Sequence, residues 1–270
     1  WDTVVPPPYG DATYLDTSLY QVTVTVPEEM VLAGSGSTLE QITNEDGTKT
    51  LRLASGPMRD FYLVMNPTYQ VLTDQIDGIT VNSYYPPDLT EGGQRALEYT
   101  VDALRIFNLQ FGPYPYAEFD IVATPTTAGG VEYPGVVVIA ERIMNQDGGF
   151  FQHAVAHEVA HQWWYGIVGN NQVLEPWLDE AITNYSAAIY WEEAEGPDAA
   201  TYIIDNLFSA SYERAKGQGL NRAVIGPVES FSPGEYAAFV YGKGPLFFHA
   251  LRQTYGDELY FRIMQTYLDR

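Results

Sequence analysis

The sequence predicts an α+β protein in two parts: strands up to about residue 85, then helices around a small mixed sheet from residue 86 to residue 270. Three observations predict it. Tyr20 to Val26 alternates apolar and polar side chains with period two, the pattern of a strand with one buried face. Asn44-Glu-Asp-Gly47 and Asp77-Gly78 each divide two strand-like runs, as hairpin turns do. After Pro86-Pro87-Asp88 the apolar residues Ala96, Tyr99, Leu104 and Phe107 fall near helical spacing.

Taken in order, Pro27 ends the first strand, because proline cannot donate to a ladder. Thr38 to Ile42 pairs with Thr48 to Leu53, and Val71 to Ile76 with Ile79 to Tyr84. Thr90 to Asn108 is a helix. The rigid turn Phe111-Gly-Pro-Tyr-Pro-Tyr116 feeds a strand, Phe119 to Thr124, and a glycine-rich stretch, Ala128 to Gly135, precedes a second, Val136 to Ala140. Gly148-Gly149 leads into a helix from Phe150 to Tyr165; further helices are expected over Pro176 to Glu193, Asp198 to Lys216, Tyr236 to Thr254 and Asp257 to Asp269.

An apolar content of 46% argues for a folded core despite a net charge of -22. A surface this acidic repels phosphate backbones, so nucleic acid is not an expected partner. With no cysteine there is neither a disulfide scaffold nor a thiolate metal site. No apolar run approaches the roughly twenty residues of a membrane span. The chain starts at Trp1, without methionine or a leader pattern, and stops at Arg270 within an expected helix, which reads as a piece of a longer protein. Acidic, cysteine-free composition points to an extracellular or cell-envelope location, with the cytoplasm left open.

The chemistry concentrates in His153-Ala-Val-Ala-His157-Glu158-Val-Ala-His161-Gln-Trp-Trp164. On a helix, His157 and His161 project from one face and can share a metal ion, with Glu158 at the edge of that face. Zinc accepts imidazole nitrogen and carboxylate oxygen, and a catalytic site takes three protein ligands and keeps a fourth position for water. Glu180, separated from His161 by eighteen intervening residues and at the start of the next helix, is the expected third ligand. His153 is one turn earlier, but three histidines at spacing four cannot all meet one ion from a straight helix, so it is read as a core or supporting residue.

The spacing His-Glu-x-x-His, eighteen residues, Glu, together with the aromatic run after it, resembles the gluzincin metallopeptidases and, within them, the aminopeptidase N family. Three further stretches carry the likeness. Gly129-Gly130-Val131-Glu132-Tyr133 is similar to the family's Gly-Ala-Met-Glu-Asn, Trp177-Leu-Asp-Glu180-Ala to its Trp-Leu-Asn-Glu-Gly, and Tyr241-Gly-Lys-Gly244 to its Tyr-x-Lys-Gly. The resemblance implies that residues 1–85 are the C-terminal part of an all-β N-terminal domain and residues 86–270 a thermolysin-like catalytic domain. It implies one zinc ion on His157, His161 and Glu180, with Glu158 as general base and Tyr241 as oxyanion donor. It also implies an edge strand at Gly129, Gly130 and Glu132 that binds the free amino end of a peptide.

The function implied is that of a zinc aminopeptidase acting on peptides with a free N-terminus. Val131 and Tyr133 depart from the family pattern, so the stretch also reads as a glycine-rich hairpin with a solvated Glu132. Asn184, one turn after Glu180, reads either as a partner for a ligated imidazole or as a surface amide. Two other functions stay open: a thermolysin-type endopeptidase, which needs no amine anchor, and a non-catalytic peptide-binding piece of such a fold.

Overall fold

The period-two stretch at the start of the chain forms β1 (Ser18–Pro27), and the turn-flanked runs form β3 (Ser37–Thr43) with β4 (Thr48–Met58) and β6 (Gln70–Ile76) with β7 (Ile79–Tyr85). This computed structural model describes residues 9–11, 14–146 and 149–269. Gly148, expected to lead into the helix that carries His157 and His161, lies outside the described residues. By its internal contacts the chain divides into two units, one comprising Asp16–Leu109 and Pro113–Gln162, the other the described part of residues 1–15 with Gln110–Gly112 and Trp163–Arg270.

The first unit holds the strands. A three-stranded antiparallel sheet runs β1-β4-β3, and β2 (Val31–Gly34) pairs with β5 (Leu63–Asn66). The main sheet is five-stranded and mixed, in the order β6-β7-β8-β10-β9, where β8 is Glu118–Thr124, β9 Gly130–Tyr133 and β10 Val136–Ala140. The helix α1 (Thr90–Gln110) makes the crossover between β7 and β8, which pair in parallel. The sheet therefore runs across the boundary expected at residues 85 and 86. β10 is fully buried, and its run of Val and Ile is the composition a strand covered on both faces requires.

Alternation divides those faces. Tyr84, Val122, Val136 and Val138 pack against Ala33 and Val64 of the β2–β5 pair, and Val131 and Tyr133 join them, Tyr133 stacked on Tyr62 with ring centroids 3.9 Å apart. Asp120 is buried on that side; its carboxylate accepts from Asn82 Nδ2 at 3.0 Å and from the Gly34 backbone N–H at 3.2 Å, which ties β2 to the sheet. The short α2 (Glu141–Met144) follows β10, and α3 (Phe150–His161) packs against β9 and β10.

The second unit is helical: α4 (Trp177–Glu195), α5 (Pro197–Ile203), α6 (Ala210–Gly217), the single turn α7 (Pro233–Glu235), α8 (Gly244–Tyr255) and α9 (Asp257–Leu268). Three expected helices are not uniform α-helix. Wide π turns occupy Gln162–Ile167, Ile204–Ser209 and Tyr236–Lys243. The first seats two buried indoles, Trp163 Nε1 donating to the Gly112 carbonyl at 2.9 Å and Trp164 Nε1 to Ser186 Oγ at 2.8 Å. Spacing alone does not reveal such a widening, because a stretch of six to eight residues is too short to tell a π turn from α-helix. Arg252 of α8 binds Glu192 of α4 at 2.5 Å and Asp257 of α9 at 2.8 Å, so one guanidinium ties three helices. Among the described residues no helix is long and apolar enough to cross a membrane.

Candidate active site

Each unit carries part of the expected site. In the first, His157 and His161 lie one turn apart on α3, both buried, and their Nε2 atoms converge to 3.1 Å. Two ligands of a tetrahedral zinc ion with Zn–N near 2.0–2.1 Å lie about 3.3 Å apart. The imidazoles therefore already hold nearly the separation a shared ion needs. His153 is also buried, with its ring 6.5 Å from that of His157, and no metal-suited grouping among the described residues includes it.

β9 brings the second element. Its register pairs Glu132 with Val137 and Gly130 with Ile139, so both lie on the face opposite Val131 and Tyr133, the face that α3 covers. Donor atoms of Glu132, Glu158 and His161 all fall within 4.8 Å of one another, and all three residues are buried. Two carboxylates in so small a low-dielectric corner favour a cationic guest. Gly130 is what permits the approach: a Cβ there would overlap the Glu158 carboxylate. Gly129 is different, since its Cβ would make only an ordinary 3.9 Å contact with Phe150 Cζ.

β9 is also the edge of the sheet. The Gly129 carbonyl accepts from Ala140 N–H at 3.0 Å, which fixes the hydrogen-bonded positions of this antiparallel pair. Alternation then turns the N–H and C=O groups of Gly130 and Glu132 toward the outer side of the edge, the side on which a strand is added in β-augmentation. Gln162, which nothing in the sequence marked beyond its place after His161, holds the hairpin in register. Its Oε1 accepts from Gly135 N–H at 2.9 Å and its Nε2 donates to the Tyr133 carbonyl at 3.2 Å.

In the second unit Glu180 is buried in the first turn of α4, and Tyr241 donates its hydroxyl to Glu180 Oε1. Asn184 is buried rather than a surface amide, and its Nδ2 donates to the carbonyl of Tyr241 at 3.1 Å. The two glycines around Lys243 have a steric reason. A Cβ on Gly244 would stand 2.5 Å from the Ala181 Cβ, and one on Gly242 3.1 Å from the Phe208 carbonyl oxygen. Small residues at 181 and 244 thus let the Tyr241 segment press against α4 beside Glu180, while Gly242 leaves room for the backbone at Phe208 and Tyr212. Lys243 is an anchor: its Nζ donates to the Arg222 carbonyl at 2.7 Å and to Asn221 Oδ1 at 3.2 Å. His249, read from sequence as structural, lies 3.3 Å from the Tyr185 hydroxyl, its pKa lowered by partial burial and by Arg252.

The peptidase family M1 domain matches residues 95–270. An aminopeptidase N from Acetobacter pasteurianus is 27% identical over 179 residues, covering 62% of this chain and 50% of that protein. An aminopeptidase M1 from Arabidopsis thaliana is 24% identical over 269 residues, 92% of this chain and 30% of its own length. The crystal structure of an M1 zinc metallopeptidase from Deinococcus radiodurans superposes with a TM-score of 0.76 at 23% identity, covering 96% of this chain and 57% of that one, and shares its fold. The chain spans half or less of the length of these two relatives. With the family's domain matched over most of its residues, the chain belongs to peptidase family M1.

Proposed function

We propose that this chain carries the catalytic centre of a zinc aminopeptidase, with His157, His161 and Glu180 holding one ion. The observation that carries the reading is the corner formed by His161, Glu158 and Glu132, next to an imidazole pair whose Nε2 atoms are 3.1 Å apart. The relatives named above are aminopeptidases, which supports the same reading. Nitrogen and oxygen donors without any thiolate suit zinc in a hydrolytic site. When bound, zinc makes its water ionise near neutral pH and polarises the scissile carbonyl.

The chain's own groups supply the rest. Glu132 accepts the α-ammonium of the peptide, so that the first peptide bond, and no later one, reaches Glu158. The Glu158 carboxylate takes a proton from water as its oxygen attacks the carbonyl carbon, and returns that proton to the amine nitrogen as the C–N bond breaks. Tyr241 turns its hydroxyl from Glu180 toward the carbonyl oxygen and donates to it as charge develops there. Gly130 and Glu132 offer outward backbone groups to the extended substrate. In this reading residues 1–85 are the last part of an all-β domain, with β6 and β7 shared with the sheet of the catalytic domain, residues 86–270.

Metal analysis of the purified chain, paired with hydrolysis of free and N-acetylated dipeptides, tests the proposal. About one zinc per chain and cleavage confined to free amino ends are expected. A chain without zinc would end the metal reading, and equal cleavage of both peptides would replace the aminopeptidase by an endopeptidase, which has no use for a carboxylate at Glu132.

A further inference from the structure

Phe150 opens α3 and is 54% exposed, whereas every later residue of that helix is buried except the partly exposed Gln152. A single exposed phenylalanine is ordinary on a protein surface. Its position is what gives this one meaning. Residues 150, 157 and 161 are seven and eleven apart, so on a helix of 3.6 residues per turn they share one stripe within about 20°. Phe150 therefore stands on the same face of α3 as the two imidazoles, two turns nearer the N-terminus.

β9 gives the direction. From Glu132 back to Gly129, its neighbours on α3 change in order: His161 and Glu158 beside Glu132, Glu158 beside Gly130, then Phe150 beside Gly129. A peptide whose amino group meets Glu132 and whose first bond meets Glu158 continues toward Phe150, antiparallel to β9 along its open edge. One residue of extended chain advances about 3.4 Å. The side chain that comes next after the cleaved bond is thus delivered toward the exposed ring.

We infer that Phe150 is a specificity-determining residue, an apolar wall that favours an aromatic or large aliphatic side chain on the residue following the scissile bond. The inference rests on the aminopeptidase reading, since that reading fixes where the peptide begins. Contact with one apolar wall discriminates by about ten- to a hundredfold between a large side chain and none.

The test uses binding, so that it does not depend on turnover. In the Glu158→Gln background, calorimetry measures Kd for Leu-Phe, Leu-Gly and N-acetyl-Leu-Phe, with and without Phe150→Ala, and the same dipeptides give kcat/KM for the Phe150→Ala chain alone. Leu-Phe is expected to bind about tenfold or more tighter than Leu-Gly. Phe150→Ala should erase most of that difference while leaving Leu-Gly unchanged, and Phe150→Leu should restore part of it. Equal binding of Leu-Phe and Leu-Gly, or an equal loss of both in Phe150→Ala, overturns the inference. If the acetylated peptide binds as well as the free one, the aminopeptidase reading fails instead, while the comparison of Leu-Phe with Leu-Gly still reports on the wall. Failure of every peptide to bind removes both.

Discussion

Replacing Gly130 by alanine separates catalysis from folding in this chain. The added Cβ would stand 2.5 Å from Glu158 Cδ and Cγ, where ordinary contact begins near 3.4 Å. Relief requires the carboxylate to retreat by about 1 Å, and a misplacement of that size costs on the order of a hundredfold in rate, about 2.7 kcal/mol of barrier. Stability should change little, because every atom met belongs to one flexible side chain, and alanine in place of glycine restricts the unfolded chain by about 0.4–1 kcal/mol in the opposite sense. The assay is kcat/KM on a free-amino dipeptide beside zinc content and thermal melting. A fall of about a hundredfold in kcat with zinc and Tm retained is expected. Full activity would refute the claim that Gly130 exists to seat Glu158, and a large drop in Tm would mean that the backbone, not the carboxylate, absorbs the overlap.

The other outcomes follow from the same contacts. Tyr241→Phe removes the hydroxyl now bonded to Glu180 and should lower kcat about a hundredfold with little change in binding, so a loss confined to KM argues against an oxyanion role. Glu132→Ala should narrow the gap between free and acetylated peptides; an undiminished gap places the amine anchor elsewhere. Burial raises the Asp120 carboxyl from 3.8 to about 7, so the folded chain holds its proton more tightly than the unfolded one. That contribution is fully present below about pH 4 and is lost as pH rises through about 7, a fall of up to about 4 kcal/mol across the window. Urea melts of wild type and Asp120→Asn between pH 4 and 8 should show a flatter line for the variant, and parallel lines would show that Asp120 does not titrate.

The sequence by itself determined what local geometry fixes. Spacing of four on a helix brings His157 and His161 together whatever surrounds them, and Glu180 follows from a helix that starts after Pro176. Turn chemistry at Asn44–Gly47 and Asp77-Gly78 gave both hairpins with their partners. Only the tertiary structure decided the face and register of β9, because a strand's side chains alternate and a shift of one residue would have turned Glu132 away from α3. It alone decided that β6 and β7 join the sheet that carries β9, that Gln162 clamps the hairpin, that Gly130 and Gly244 mark close approaches, and that Phe150 stands in line with the imidazoles. Those features depend on which distant segments meet, and a period in the sequence records how a segment turns but not what it turns against.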